Sequence, residues 1–247
     1  MVEVSISQGM KRGYLANVNY RLFNDNVDWD FVQSHSHNGY SIKDLNKRLF
    51  IPQRDDAIRD RLQEVWDRTP SPRAIVFCQT IEHAERMAEV FNRVPGWERT
   101  IELHGKLTKR EQRDRLLAFR NGTIPILTCV DVLNEGVDVP DVNVLCFARV
   151  THSRRIFVQQ LGRGLRIRPG KTHVEVLDFV SDLRRLAEVM ELREQVAEVE
   201  TVDVPQNQFM FADSEIGSLL EHWIADVGDL ASADETVRLE FPPMEAI

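Results

Sequence analysis

At 247 residues, with 43% hydrophobic and 28% charged side chains, the chain has an ordinary soluble composition and length enough for one good core. No apolar run approaches the roughly 20 residues of a membrane span, and the start of the chain carries no signal-peptide pattern. Cys78, Cys129 and Cys146 each sit within or just after an apolar run, which argues against a disulfide frame or metal site and for reduced thiols in a cytoplasmic protein.

The net charge of −8 is unevenly divided. Between Arg149 and Lys171 there are seven basic residues and no acid, whereas from Leu186 onward fifteen acids face only Arg193 and Arg238. A basic face with an acidic tail keeps nucleic acid among the candidate partners.

In chain order, alternating Val2, Val4 and Ile6 and a looser repeat over residues 14–23 predict two short strands around a Gly9/Gly13 turn. Residues 28–39 read as loop; His35 and His37 have no further Cys or His close by in sequence and read as exposed rather than metal-binding. Ser41-x-x-Asp44 predicts a capped helix to about Phe50. Residues 55–68 predict an amphipathic helix with Ile58, Leu62, Val65 and Trp66 on one side. Thr69-Pro-Ser-Pro72 marks the clearest boundary.

Beyond it, strands and helices alternate. Residues 74–78, 101–103, 124–128, 142–147 and 174–179 read as strands. Thr80 opens a helix to about Asn92, Thr108-x-x-Glu111 opens one that stops at Asn121-Gly122, residues 153–162 form another, and Ser181 caps a longer one to about Glu200. The expected fold is α/β, a doubly wound, mostly parallel sheet of about five or more strands. A lead-in of short strands and helices (1–70) precedes the sheet domain (71–182), and a helical extension with an acidic tail (183–247) follows it. In that tail Phe209, Met210 and Phe211 with Leu219, Leu220, Trp223 and Ile224 suggest a small docking helix.

The chemistry-bearing stretch is residues 128–168. Thr128-Cys-Val-Asp-Val-Leu-Asn-Glu-Gly136-Val-Asp138-Val-Pro140 follows a β-type run, and Gln159-Gln-Leu-Gly162-Arg163-Gly-Leu-Arg166-Ile-Arg168 sets three arginines among two glycines. Arg163 and Arg166, three apart, share one face of a helix or tight turn with Cβ atoms roughly 5–6 Å apart. Guanidiniums so close repel unless an anion lies between them, and their planar forks suit phosphate oxygens. The plain alternative is a solvated basic helix end, favourable against the helix dipole.

At these residues the chain resembles the C-terminal RecA-like lobe of superfamily 2 helicases and translocases, over about residues 70–182. Gln159-x-x-Gly162-Arg163-x-x-Arg166 is similar to their arginine-finger motif. The resemblance implies that Arg163 and Arg166 reach the β/γ-phosphates of ATP across an interlobe cleft and that Gln159 places the water or the finger. It implies that Gly136, Asp138 and Gly162 line the nucleotide, Asp138 as an acceptor for a ribose hydroxyl or else a turn former. Thr80, Thr128, His104, Gly105 and Arg113 resemble contacts to a nucleic-acid backbone. The threonines could equally be helix caps, His104 a loop residue and Arg113 a solvated helix residue. Two departures stand out. The loop from Thr128 to Gly136 is nearer in length to DNA translocases of the restriction and repair type than to box-motif RNA helicases. Gln160 stands where many relatives carry Arg.

A complete motor also needs a phosphate loop and a metal-binding Asp-Glu pair. Gly170-Lys171-Thr172 lacks the first glycine and precedes a strand, and Asp55-Asp56 opens a helix after a proline, so neither serves. The expectation is half of an ATP hydrolase acting on DNA, with RNA as the other candidate. ATP and Mg2+ would be held only with a first RecA-like lobe, in a parent chain or separate subunit. The chain alone, with no metal site and no membrane contact, would be inactive. The alternative is a non-catalytic module that docks nucleic acid or protein.

Overall fold

Short, mainly apolar runs make strands that can be buried on both faces, and β3 (Ala74–Phe77), β5 (Ile126–Cys129) and β6 (Val144–Phe147) build the centre of a sheet together with the longer, mixed β7 (His173–Phe179). The computed structural model describes residues 6–23, 28–34, 39–48, 55–130, 142–148, 161, 165–167, 171, 173–179, 182–199, 207–212 and 215–241. With β1 (Asn17–Phe23), β4 (Ile101–Leu103) and β8 (Gln208–Phe211) these strands form a seven-stranded sheet in the order β4-β5-β3-β6-β7-β1-β8. Every pairing in it is parallel.

Side chains alternate between two helical layers, as a period of two requires. Ala74, Val76, Ile126, Val144, Cys146 and Leu177 face one core, shared with α4 (Asp55–Trp66) and α5 (Ile81–Phe91). Ile75, Phe77, Leu127, Leu145, Phe147 and Val176 face the other, shared with α3 (Ile42–Arg48), α6 (Lys109–Arg120), α7 (Leu183–Val199) and α8 (Glu215–Val227). Ile58, Leu62 and Val65 are buried on α4 as their spacing predicts, at about 1.5–3 kcal/mol for each large apolar side chain removed from water. Asp55 holds this layer together: its carboxylate bonds Arg86 of α5 and lies 3.5 Å from His83 Nε2. All three cysteines are buried and none forms a disulfide among the described residues, and no helix among the described residues is long and apolar enough to cross a membrane.

Both capping boxes read from the sequence cap helices. Thr108 Oγ1 accepts the Glu111 N–H at 3.2 Å while Glu111 accepts the Thr108 N–H at 2.8 Å; Ser41 Oγ accepts the Asp44 N–H at 3.1 Å. At α7 the visible cap is Asp182, whose Oδ1 accepts the Arg184 N–H at 2.9 Å, while Asn46 Oδ1 takes the Leu183 N–H; Ser181 lies outside the described residues.

The ends of the chain differ from expectation. Residue 6 begins a helix, α1 (Ile6–Lys11), rather than ending a strand, and Gly13 at φ 69° closes it. The reason is Gly9: a Cβ there would stand 2.8 Å from Leu15 Cδ1, so the glycine lets Leu15 fold back over the helix. The predicted loop holds α2 (Trp29–Ser34), with Asp28 Oδ1 accepting the Phe31 N–H at 2.9 Å. Strand β1 of the lead-in lies inside the sheet, between β7 and β8. Phe209 and Phe211 belong to strand β8, not to a docked helix. The acidic tail returns as β9 (Arg238–Glu240), antiparallel to β2 (Gly39–Ser41), over which Trp223 Nε1 donates to the Glu240 carbonyl at 2.7 Å. Both ends of the chain thus build the same sheet and core as residues 71–182.

Candidate nucleic-acid and nucleotide surfaces

Parallel strands end together, and ligands of open α/β sheets bind beyond those C-terminal ends. Leu103, Cys129, Phe77, Phe147, Asp178 and Leu22 lie in register along this edge. Thr80 follows β3 by three residues and is exposed. Its extended backbone (φ −130°, ψ 163°) makes it the N-cap of α5, and its Oγ1 accepts the His83 N–H at 3.1 Å.

His104 and Gly105 follow β4 on the same edge. Gly105 is open: no atom of its non-neighbouring described residues lies within 4 Å of where a Cβ would stand, so a partner can reach its backbone. His104 is 6% exposed, with Nε2 3.9 Å from Glu85 Oε1 of α5 and Nδ1 without a hydrogen-bond partner among the described residues. Gln112 Nε2 donates to the His104 carbonyl at 3.3 Å and the Leu107 carbonyl at 3.0 Å, which fixes this loop on α6. Arg113, next along α6, projects with 71% of its side chain exposed and its Nε 3.8 Å from Asp114 Oδ1.

Thr128 does not join them. It is fully buried, its Oγ1 donating to the Ala84 carbonyl of α5 at 2.9 Å. It shares the face of Ile126, and that face packs on α5. Its hydroxyl ties helix to sheet and is not offered to a phosphate.

Arg166, the arginine of the motif among the described residues, lies elsewhere. Leu15 and Arg166 form an antiparallel bridge, and the Ala16 N–H donates to the Leu165 carbonyl at 2.7 Å. Leu15 and Ala16 immediately precede β1, whose first residue pairs with the first of β7. Arg166 therefore stands at the N-terminal edge of the sheet, the length of β1, about 20 Å, from the strand ends. Leu165 is buried as an anchor and Arg166 is exposed. Gln159, Gly162, Arg163, Gly136 and Asp138 lie outside the described residues. The fold thus brings Thr80, His104, Gly105 and Arg113 to one side and holds Arg166 apart from them.

Comparison with known proteins decides the family. The model for the helicase conserved C-terminal domain matches residues 33–168, just over half the chain. The chain belongs to this family. As a helicase C-terminal domain it is the second RecA-like lobe of a superfamily 2 helicase or translocase. It is 31% identical over 166 residues to the Schizosaccharomyces pombe protein named as a mitochondrial ATP-dependent helicase, irc3, covering 66% of this chain and 26% of that one. To the type I restriction enzyme EcoKI endonuclease subunit of Escherichia coli it is 30% identical over 166 residues, 62% of this chain and 14% of that protein. The helicase C-terminal domain thus spans about a quarter or less of these two relatives. The yeast DEAD-box splicing factor Prp28 shares its fold, with TM-score 0.53 at 16% identity, over 82% of this chain and 36% of that one.

Sequence reasoning missed the two carboxylates among the edge donors. Glu82 sits in the first turn of α5, its carboxyl held below the usual carboxylate range by its own backbone N–H and then by the Thr80 hydroxyl, with Lys106 adding attraction. The available signal was position: an acid two residues after an N-cap meets the free amides of the helix.

Proposed function

We propose that this helicase C-terminal domain is the second motor lobe of an ATP-dependent DNA helicase or translocase, binding the nucleic-acid backbone at one edge of its sheet and supplying arginines to ATP at the other. The observation that carries the reading is the separation of Thr80, His104 and Gly105 from Arg166 by the length of β1. One lobe can then hold a strand and a nucleotide at once. An exposed hydroxyl, a helix N-terminus and an open glycine backbone can take phosphates without reading bases. Arg166, exposed on a backbone pinned to Leu15, suits a nucleotide's phosphate oxygens. The similarity to an ATP-dependent helicase supports ATP as the nucleotide.

In the motor a first RecA-like lobe would hold ATP and Mg2+. Arg163, Arg166 and Gln159 would approach them from this lobe, with Gly136, Asp138 and Gly162 along the nucleotide. Bound Mg2+ would neutralise charge on the phosphates, and an arginine finger adds about 10³–10⁵ in rate. The test is ATP hydrolysis by this chain alone and with a first-lobe chain, each with and without single-stranded DNA. Turnover should match a control protein for the lone chain and become DNA-stimulated on reconstitution. DNA-stimulated turnover by the lone chain, lost on Lys171→Ala, would overturn the reading. A reconstituted motor indifferent to Arg163→Ala and Arg166→Ala would instead favour a docking module.

A further inference from the structure

The donors at the C-terminal edge already face anions of this chain. Glu82 stands in the first turn of α5, two residues after the Thr80 cap, and its carboxyl is held below its ordinary value by its own backbone N–H, then the Thr80 hydroxyl, with Lys106 of the His104 loop adding attraction. One turn on, Glu85 Oε1 lies 3.9 Å from His104 Nε2, and its side chain is half exposed and so free to swing away. Resting on the reading of this edge as a backbone contact, we propose that Glu82 and Glu85 form an internal anion that nucleic-acid phosphates must displace, and so determine which polyanions the edge accepts.

A lone small anion gains one contact at Thr80 and loses the one Glu82 makes there, so the exchange brings it little. A strand presents connected phosphates, each further contact being made at high effective concentration once the first has formed. It can replace Glu82 at Thr80 and Glu85 at His104 together. Discrimination then comes from a built-in repulsive element as well as from attraction. The two carboxylates lie near the donors yet remain at the surface, where displacement requires only a side-chain rotation.

The test is fluorescence anisotropy of the 247-residue chain with labelled oligothymidine and oligouridine of about 20 nucleotides, long enough to span the edge. Glu82→Gln and Glu85→Gln keep side-chain shape and remove the charge, and each should tighten binding by about three- to tenfold. Glu89→Gln is the control. Glu89 is exposed on the same helix, about 10 Å beyond Glu82 and about 6 Å beyond Glu85 by helical rise, on the side away from Thr80; its removal should change binding by less than about twofold. Direct competition further predicts that the gain from Glu82→Gln vanishes in a Thr80→Val background, and the gain from Glu85→Gln in a His104→Ala background. Gains no larger than that of Glu89→Gln, or gains that persist in those backgrounds, overturn the inference. If Thr80→Val still weakens binding in that case, the backbone-contact reading survives. If Thr80→Val and His104→Ala bind like the unaltered chain, that reading fails and the inference falls with it.

Discussion

The Tyr20 hydroxyl donates to Asp178 Oδ2 at 2.5 Å, and Arg185 Nε donates to the same oxygen at 2.9 Å. Arg185 also reaches Glu188 Oε2 at 3.3 Å and lies 5.0 Å above the Phe147 ring. All four polar side chains are buried, and they join β1, β7 and α7 just inside the C-terminal edge. Removing one partner of such a pair strands the other charge. Asp178→Ala should cost about 3–5 kcal/mol, whereas Tyr20→Phe, which leaves Arg185 paired, should cost about 2 kcal/mol. Urea unfolding at pH 7 checks both, with equal losses counting against the arrangement.

The same hydroxyl gives the domain an alkaline limit. Burial first, then the Asp178 carboxylate, push the Tyr20 phenol well above its ordinary value near 10.0. Below about pH 10 the phenol is protonated in folded and unfolded chains alike, and its stabilising effect is fully present. Above that the unfolded chain releases the proton first, so stability falls as pH rises. Denaturation midpoints between pH 9 and about 11.5 should therefore drop less steeply for Tyr20→Phe than for the unaltered chain. Parallel curves would mean that Tyr20 is not the group responsible.

Thr128 separates a structural hydroxyl from the one proposed to bind, that of Thr80. The Thr128 bond to the Ala84 carbonyl is buried, so Thr128→Val should cost about 1 kcal/mol of stability and leave oligonucleotide affinity unchanged. Thr80→Val should do the reverse in kind, weakening binding while costing about 1 kcal/mol as a lost helix cap. An affinity loss at Thr128 equal to that at Thr80 would show that the Thr128 hydroxyl turns outward on binding.

The contrast between those threonines shows what the sequence can carry. β3, β5, β6, β7 and the capped helices α5 and α6 were legible because apolar runs and caps are local signals. So was the placement of Thr80, His104 and Gly105 at strand ends. The inward turn of Thr128 was not, because it depends on which face of β5 meets α5. Nor was the insertion of β1 beside β7, since Asn19 pairs with Glu175, 156 positions away, and no local pattern encodes a parallel partner. The position of Arg166 was hidden for the same reason: Leu15, which fixes it, lies near the other end of the chain.

That position yields the sharpest test, in the reconstituted two-lobed motor. Arg166 sits at the start of β1 and Thr80 beyond the strand ends, more than about 20 Å apart by strand rise. Substitution at one should not reach the other through direct contact. Arg166→Lys keeps the charge but loses the planar fork, so it should cut kcat at least about tenfold, equivalent to about 1.4 kcal/mol. The affinity for oligothymidine should stay within about twofold, since the charge that acts through counterion release is retained. Thr80→Val should raise the DNA concentration needed for half-maximal stimulation and leave kcat at saturating DNA within about twofold, because it removes a binding contact and no phosphate-side chemistry. Steady-state ATPase titrations against DNA measure both quantities for both variants. If Arg166→Lys shifts the DNA requirement while kcat holds, Arg166 belongs to the nucleic-acid surface. The separation along β1 would then divide one strand's path rather than two ligands.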